Sequence, residues 1–372
     1  MAAKMFIAAT GQNCGKTTTS ICLMHLALKK YRRVGFIKPL GPKPAKLFGC
    51  AVDKDAALIA QVFGLTADLP WMSPVVVYPD TTRKVVDGEI SPQELQDRIV
   101  QAYTELDKRC DFMIIEGSGH PGVGSVMKVS NARIARLLDV PVLMVTGGGL
   151  GNVVDTVCMN LALFEKEHVE VRAVLANKLI PAKRERTLDY LTRALVDESL
   201  SVVGGVDYYP VLANPTLRRI SDLLELPIHG NRFEESRIIH HVQIGAASTQ
   251  RVTELIQESS LLIVTSSRDE LLVTLANLYR IPEYQSRIVG LVIPGIAPVG
   301  AITQMILDRS GIPYMRTMTN STAELYRLIT EDVSKITAVD TEKLDLIRTL
   351  AETYIDFDLL DGIFSAPASG PV

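Results

Sequence analysis

The run Phe6-Ile7-Ala8-Ala9-Thr10-Gly11-Gln12-Asn13-Cys14-Gly15-Lys16-Thr17-Thr18 constrains this chain more than any other feature. An apolar strand leads into a glycine-bearing loop, and the loop into a helix. In that order, loop and helix N–H groups point at an anion. Lys16 meets the β- and γ-phosphates of a nucleotide, and the Thr17 hydroxyl ligates magnesium. Gly11, Asn13, Gly15 and Thr18 complete the cradle, and the expected ligands are ATP and Mg2+. The spacing departs from GxxxxGK[ST], whose first glycine falls at Thr10; starting at Gly11 gives a loop one residue shorter. The local alternative is a helix that merely begins Gly-Lys-Thr-Thr.

Short apolar runs alternate with amphipathic segments through the first part of the chain, which predicts an α/β fold with a mainly parallel sheet. Expected strands are Met5–Ala9, Val34–Ile37, Phe112–Ile115, Val140–Thr146, Ala173–Ala176 and Val202–Val206. Polar or glycine-rich turns follow them, and in open α/β sheets ligands collect at the carboxyl ends of strands. A helix and loop across 214–230 suggest a boundary, placed at residue 225. Beyond it a smaller α/β unit is expected over 226–340. Its strands are Leu261–Thr265, Ile288–Ile293 and Pro313–Met315, and its helices Glu270–Tyr279, Ile302–Ser310 and Thr322–Ile329. Residues 341–372 are expected to form a last helix, Thr341–Leu360, and a loose tail, Ser365–Pro371.

Further candidates follow strands of the first unit. Glu116 ends the strand from Phe112, where a magnesium ligand or water-orienting acid is wanted, although a strand-end carboxylate also serves local hydrogen bonds. Lys38 lies just past a strand, before Pro39, either beside a γ-phosphate or as a surface lysine. Asp55 opens a helix, where it is a metal ligand or part of a helix cap. Asn177 ends the fifth strand, where its amide reads a purine edge or forms a turn. Thr146-Gly147-Gly148-Gly149-Leu150-Gly151 allows close backbone approach to a ligand. His120 is a proton carrier or a locally bonded loop histidine.

In this order, Gly11 to Thr18, Lys38-Pro39, Asp55-Ala56, Glu116-Gly117 and Ala176-Asn177 resemble the motifs of dethiobiotin synthetase-like P-loop proteins, over roughly residues 1–225. Glu116 to Val126 with Ser130-Asn131-Ala132 is similar to the amino-terminal domain of long phosphate acetyltransferases. Residues 231–339 are similar to the DRTGG domain that follows it there, with Thr265-Ser266-Ser267-Arg268-Asp269 in place of the eponymous motif. The resemblance implies Lys16, Lys38 and Glu116 at the chemistry, Thr17, Asp55 and Glu116 around magnesium, and Asn177 at the base. It also implies a homo-oligomer. The match departs where dethiobiotin synthetases carry a substrate-contacting hydroxyl after Lys-Pro; here Leu40-Gly41-Pro42 follows. The second unit lacks the cysteine nucleophile that amide transfer by cobyrinic acid synthases needs. Acetyl transfer is likewise not expected.

Three functions fit: a nucleotide-dependent regulator or metabolite sensor, an ATP-dependent small-molecule ligase, or an assembly module with a vestigial P-loop. The expected partners are an unidentified small metabolite and further copies of the chain. Lys plus Arg total 39 against 42 Asp plus Glu, so no basic excess draws the chain to nucleic acid. Apolar runs fall short of a bilayer span, so no membrane partner is expected. Five scattered cysteines without a CxxC pair, and no secretory pattern at the N-terminus, point to a reducing cytoplasm.

Overall fold

The computed structural model describes residues 2–198, 200–231, 234–331 and 336–366. The chain divides into two compact units, one of Met1–Tyr208 with Leu344–Val372 and one of Tyr209–Lys343.

In the first unit the strands run β1 (Ala3–Ala9), β2 (Val34–Ile37), β3 (Leu40–Gly41), β4 (Pro44–Leu47), β5 (Cys50–Asp53), β6 (Val75–Val76), β7 (Phe112–Glu116), β8 (Val142–Thr146), β9 (Val171–Ala176) and β10 (Ser201–Gly204). Six of them form one sheet in the order β10-β9-β8-β1-β7-β2. Every neighbouring pair is parallel. Parallel strands need crossover helices that cover both faces, which is why β7 and β8 are apolar and buried along nearly their whole length. From β1 the chain builds first toward β2 and β7, then across to β8, β9 and β10. The carboxyl end of β1 is therefore the switch point of the sheet, where a ligand crevice opens.

The small strands lie outside this sheet. β4 and β5 pair as an antiparallel hairpin whose two turn residues, Phe48 and Gly49, both have positive φ (47° and 83°). The hairpin hands Asp53 to the helix Lys54–Phe63, where its side chain accepts the Asp55 N–H as an N-cap.

The second unit has a four-stranded sheet of β11 (His241–Ile244), β12 (Ser260–Ile263), β13 (Ile288–Pro294) and β14 (Tyr314–Thr317), parallel and in sequential order. The helices Thr249–Glu254, Asp269–Leu278 and Ala301–Ser310 pack against one face through Val252, Leu271, Leu275 and Leu307. Leu217, Ile220, Leu325 and Ile329 join the core on the other.

Two boundaries differ from the sequence expectation. The division falls at Tyr208/Tyr209, not at residue 225, because the helix Leu217–Leu224 contributes Leu217 and Ile220 to a core with Leu261, Val289 and Met315. The C-terminal segment is two helices, Thr341–Tyr354 and Phe357–Ser365; Asp356 caps the second by accepting the Leu359 N–H. From Leu344 onward it belongs to the first unit. There Arg172 donates to the carbonyls of Ile363 and Phe364, Tyr31 donates to Asp361 at 2.7 Å, and Phe357 meets the ring of Phe112 edge-on. Of the expected tail, residues 367–371 lie outside the described residues.

Candidate functional site

The loops after β1, β2, β7, β8 and β9 meet at the carboxyl edge of the first sheet. Thr10 leaves β1 with its N–H on the Val145 carbonyl and its hydroxyl on that of Thr146, 3.2 Å away. Asn13 (φ 58°) and Gly15 (φ 93°) both take the left-handed region, and Gly15 is the N-cap of the helix Lys16–Lys30. Gly15 is required for a second reason: a Cβ there would lie 2.3 Å from Asn177 Nδ2. Asn177 is buried, its amide donating to the Cys14 carbonyl (3.0 Å) and accepting from the Val206 N–H (3.1 Å). It thus braces the phosphate loop against the loop after β10, with both ends of its amide engaged.

Lys16 reaches across the loop. Its Nζ donates to the Gly119 carbonyl at 2.8 Å and the Gly11 carbonyl at 3.4 Å. Burial lowers its pKa, Glu116 opposes that, and Lys38 reinforces it. Thr17, on the first turn of the helix, places its hydroxyl 3.3 Å from Glu116 Oε1, and Ser20, one turn on, donates to Glu116 Oε2 at 2.6 Å. Thr18 is half-buried on the same turn.

Glu116 and Lys38 form the centre. Glu116 is fully buried at the end of β7, and Lys38 is 2% exposed just past β2. Lys38 Nζ donates to Glu116 Oε1 at 2.7 Å and to Asp55 Oδ2 at 2.5 Å, with Asp53 Oδ1 at 3.8 Å. Lys43 reaches Asp55 Oδ2 at 3.3 Å. Burial works against the charge on Lys38, but Glu116, Asp55 and Asp53 together outweigh it and raise its pKa. For Asp55, burial favours the neutral acid, yet Lys38 and Lys43 hold the carboxylate down at about 2. Asp53 goes the other way, raised by burial against the pull of Lys38.

Lys16, Thr17, Lys38, Asp55 and Glu116 are thus brought together. Asp55 serves the charge cluster, while the helix cap falls to Asp53. His120 is exposed, and its Nδ1 accepts the Gly122 N–H at 3.2 Å. Ser20, Asp53 and Lys43 escape sequence reasoning as site residues. Ser20 was legible: it lies four positions after Lys16, on the same helix face. Asn131 is the other omission. Fully buried, it accepts the Ser118 N–H and donates to the carbonyls of Ser118 and His120, which fixes the loop that Lys16 touches.

The donors suit magnesium in kind. Thr17 offers a hydroxyl and Asp55 and Glu116 offer carboxylates, the hard oxygen ligands this ion takes alongside phosphates and water. Among the described residues no three His, Cys, Asp or Glu side chains are spaced to enclose a metal by themselves.

The AAA_26 family, described as an AAA domain, matches residues 3–216, more than half of the chain. The chain belongs to the AAA_26 family. With its parallel sheet and phosphate loop, the AAA_26 domain has a P-loop NTPase-like fold. It is similar to phosphate acetyltransferase of Synechocystis sp., 23% identical over 319 residues that cover 84% of this chain and 44% of that protein. It is also similar to the ATP-dependent dethiobiotin synthetase BioD of Aromatoleum aromaticum, 26% identical over 208 residues, 54% of this chain and 90% of that one. The chain spans about half the length of the phosphate acetyltransferases it matches. Among solved structures, the MinD cell division protein of Aquifex aeolicus aligns with a TM-score of 0.35 at 13% identity, covering 57% of this chain and 84% of that one. No helix among the described residues is long and apolar enough to cross a membrane.

Proposed function

We propose that the AAA_26 domain binds ATP with Mg2+ and that occupancy of the site is a regulatory signal, not a step in small-molecule synthesis. The observation that carries this reading is the bond from Lys16 to the Gly119 carbonyl. A lysine ammonium has three donors, and here two are spent on backbone carbonyls. A phosphate entering the cradle competes with Gly119 for Lys16, so binding and the position of the loop after β7 are coupled through one atom. Thr17, Asp55 and Glu116 would hold the magnesium, which supplies positive charge to the β- and γ-phosphates.

The acceptor side supports regulation over transfer. Leu40 occupies the place after Lys38-Pro39 and is buried, and the Ser118 hydroxyl donates to its carbonyl. Where the resemblance calls for a substrate-contacting hydroxyl, this chain carries a buried leucine. In this reading the second unit, DRTGG-like, receives a small metabolite, the protein assembles as a homo-oligomer, and it works in the cytoplasm. One observation favours an ATP-dependent ligase instead: Lys38 lies near enough to help lower the pKa of Lys16, as two cations flanking a transferred phosphoryl group would.

Calorimetric titration of ATP and Mg2+ into the protein and into Lys16→Ala tests the reading, with hydrogen exchange followed over residues 117–124. Micromolar binding that Lys16→Ala abolishes, slow hydrolysis insensitive to metabolites and altered exchange in that loop are expected. Hydrolysis that rises tenfold or more with one small molecule would establish the ligase. Absence of binding would leave the P-loop vestigial and the chain an assembly module.

A further inference from the structure

The strand order of the first sheet sets the direction in which a nucleotide lies on the phosphate loop. β7 and β2 flank β1 on one side, and there Lys38 joins Glu116 and Asp55 where the terminal phosphate is expected. β8 and β9 flank it on the other side. The α-phosphate and the nucleoside therefore point toward the loops after β8 and β9. Lys178, the second residue beyond β9, stands on that side.

Lys178 differs from an ordinary surface lysine in how it is held. Its backbone takes φ 56°, a region that strains a residue with a Cβ and that glycine and asparagine tolerate best. Two neighbours fix it there. Its N–H donates to the Val206 carbonyl at 2.7 Å, and a Cβ on Gly148 would lie 2.6 Å from the Lys178 carbonyl. The side chain runs back to the phosphate loop: a Cβ on Gly15 would lie 3.9 Å from Lys178 Cε, and only one bond separates that carbon from the ammonium. The residue is exposed and has no carboxylate partner among the described residues.

A cation in this position is electrostatically out of place until an anion arrives. Gly15 caps the helix Lys16–Lys30 without a side chain, and the first turn holds no acid, so the positive pole of the helix dipole faces Lys178 as well as Lys16. A strained backbone that presents a side chain to a repelling field is accounted for by a ligand that reverses the sign of the interaction. We propose that Lys178 is a further nucleotide-binding residue, whose ammonium contacts the α-phosphate while Lys16 serves the β- and γ-phosphates. This role deepens the proposed function and rests on the phosphate loop holding a nucleotide. Because ATP and ADP share the α-phosphate, Lys178 sets affinity for both alike, and discrimination between them falls to the side of Lys38 and Glu116.

Calorimetric titration of ATP and of ADP, each with Mg2+, into the full chain and into Lys178→Asn and Lys178→Arg tests this, alongside thermal denaturation of all three. Asparagine keeps the left-handed backbone and removes the cation, whereas arginine keeps the cation. Lys178→Asn is expected to weaken ATP and ADP by the same factor, about tenfold, the scale of one hydrogen bond to a charged group, with Tm no lower than the parent's. Lys178→Arg is expected to bind both within about threefold of the parent. If the parent binds and Lys178→Asn changes affinity by less than about twofold, the role of Lys178 is overturned and the phosphate loop stands. A loss confined to ATP would put the cation at the γ-phosphate and overturn the assignment. A loss that comes with a lower Tm and is not restored in Lys178→Arg would show structural support alone and also overturn it. A parent that binds neither nucleotide would overturn the proposed function itself, and this role with it.

Discussion

Replacing Lys38 by methionine removes the cation that bridges Glu116 and Asp55, with Asp53 close by. The side chains have similar length, so the substitution deletes charge with little change in packing. Asp55 sets the scale of the cost. Lys38 and Lys43 hold its pKa at about 2, against an ordinary value near 3.9. That difference corresponds to roughly 2.5 kcal/mol of stability at neutral pH, part of which Lys43 keeps. Glu116 is fully buried and loses a partner at 2.7 Å as well. Breaking a buried pair on one side costs about 3–5 kcal/mol, and we expect a loss in that range. For a unit of this size it lowers Tm by roughly 8–15 °C. The sign with pH follows from the depressed pKa. The stabilisation from Asp55 is complete above about pH 4 and is lost as pH falls toward its folded value of about 2. The gap between the two proteins should therefore narrow as acid protonates the carboxylates. Lys38→Met with Asp55→Asn should recover at least about 1 kcal/mol, because the pair is in contact. The assay is urea denaturation at pH 7 and at about pH 3, between the unfolded and folded values of Asp55. A loss under about 1 kcal/mol, or a gap that widens in acid, would show that Lys38 does not neutralise this cluster.

Two further outcomes follow from the phosphate loop. Gly15→Ala places a Cβ at φ 93° and 2.3 Å from Asn177 Nδ2, so it adds about 1–2 kcal/mol of backbone strain and puts two hydrogen bonds of about 1 kcal/mol each at risk; denaturation should show a loss of about 2–4 kcal/mol, and a change under about 0.5 would refute the fit. Burial lowers the Lys16 pKa in the free protein and a bound phosphate raises it, so at about pH 9, below the ordinary lysine value, ATP binding should take up protons; calorimetry in buffers of different ionisation enthalpy measures this, and zero uptake there would contradict it.

The strands that build the site were legible because each is a buried apolar run closed by a turn. β2 is Val34–Ile37 as read, and β7 extends the reading by one residue, to Glu116. What the sequence hid has physical causes. The hairpin of β4 and β5 turns through Phe48 in the left-handed region, a conformation that phenylalanine gives no reason to expect. β11 is an edge strand with partly exposed residues and little apolar contrast. The expected boundary at residue 225 fell at the end of a helix whose apolar face gave no hint of which sheet it covers. At the site, residue types announced Lys16, Thr17 and Glu116, but not that Lys38 would be buried among carboxylates. That depends on the Pro44–Asp53 hairpin delivering Asp53 and Asp55 to the end of β2.

The path of the chain ties the helix that begins at Lys16 to the C-terminal segment of the same unit. The second unit is an insertion: the chain enters it after Tyr208 and returns at Leu344, so two segments tether it to the phosphate-loop unit. The returning segment, Thr341–Tyr354, contacts the helix that begins at Lys16. Cys22 Sγ approaches the Ile347 carbonyl at 3.9 Å, and Glu352 pairs with His25 at 2.7 Å and Lys29 at 2.6 Å. The exposed pairs contribute little energy, whereas the packing of Cys22, Ile347 and Leu344 is buried. A helix of fifteen residues thus joins Lys16, in the candidate phosphate cradle, to Lys30, which pairs with Asp358 and Asp361.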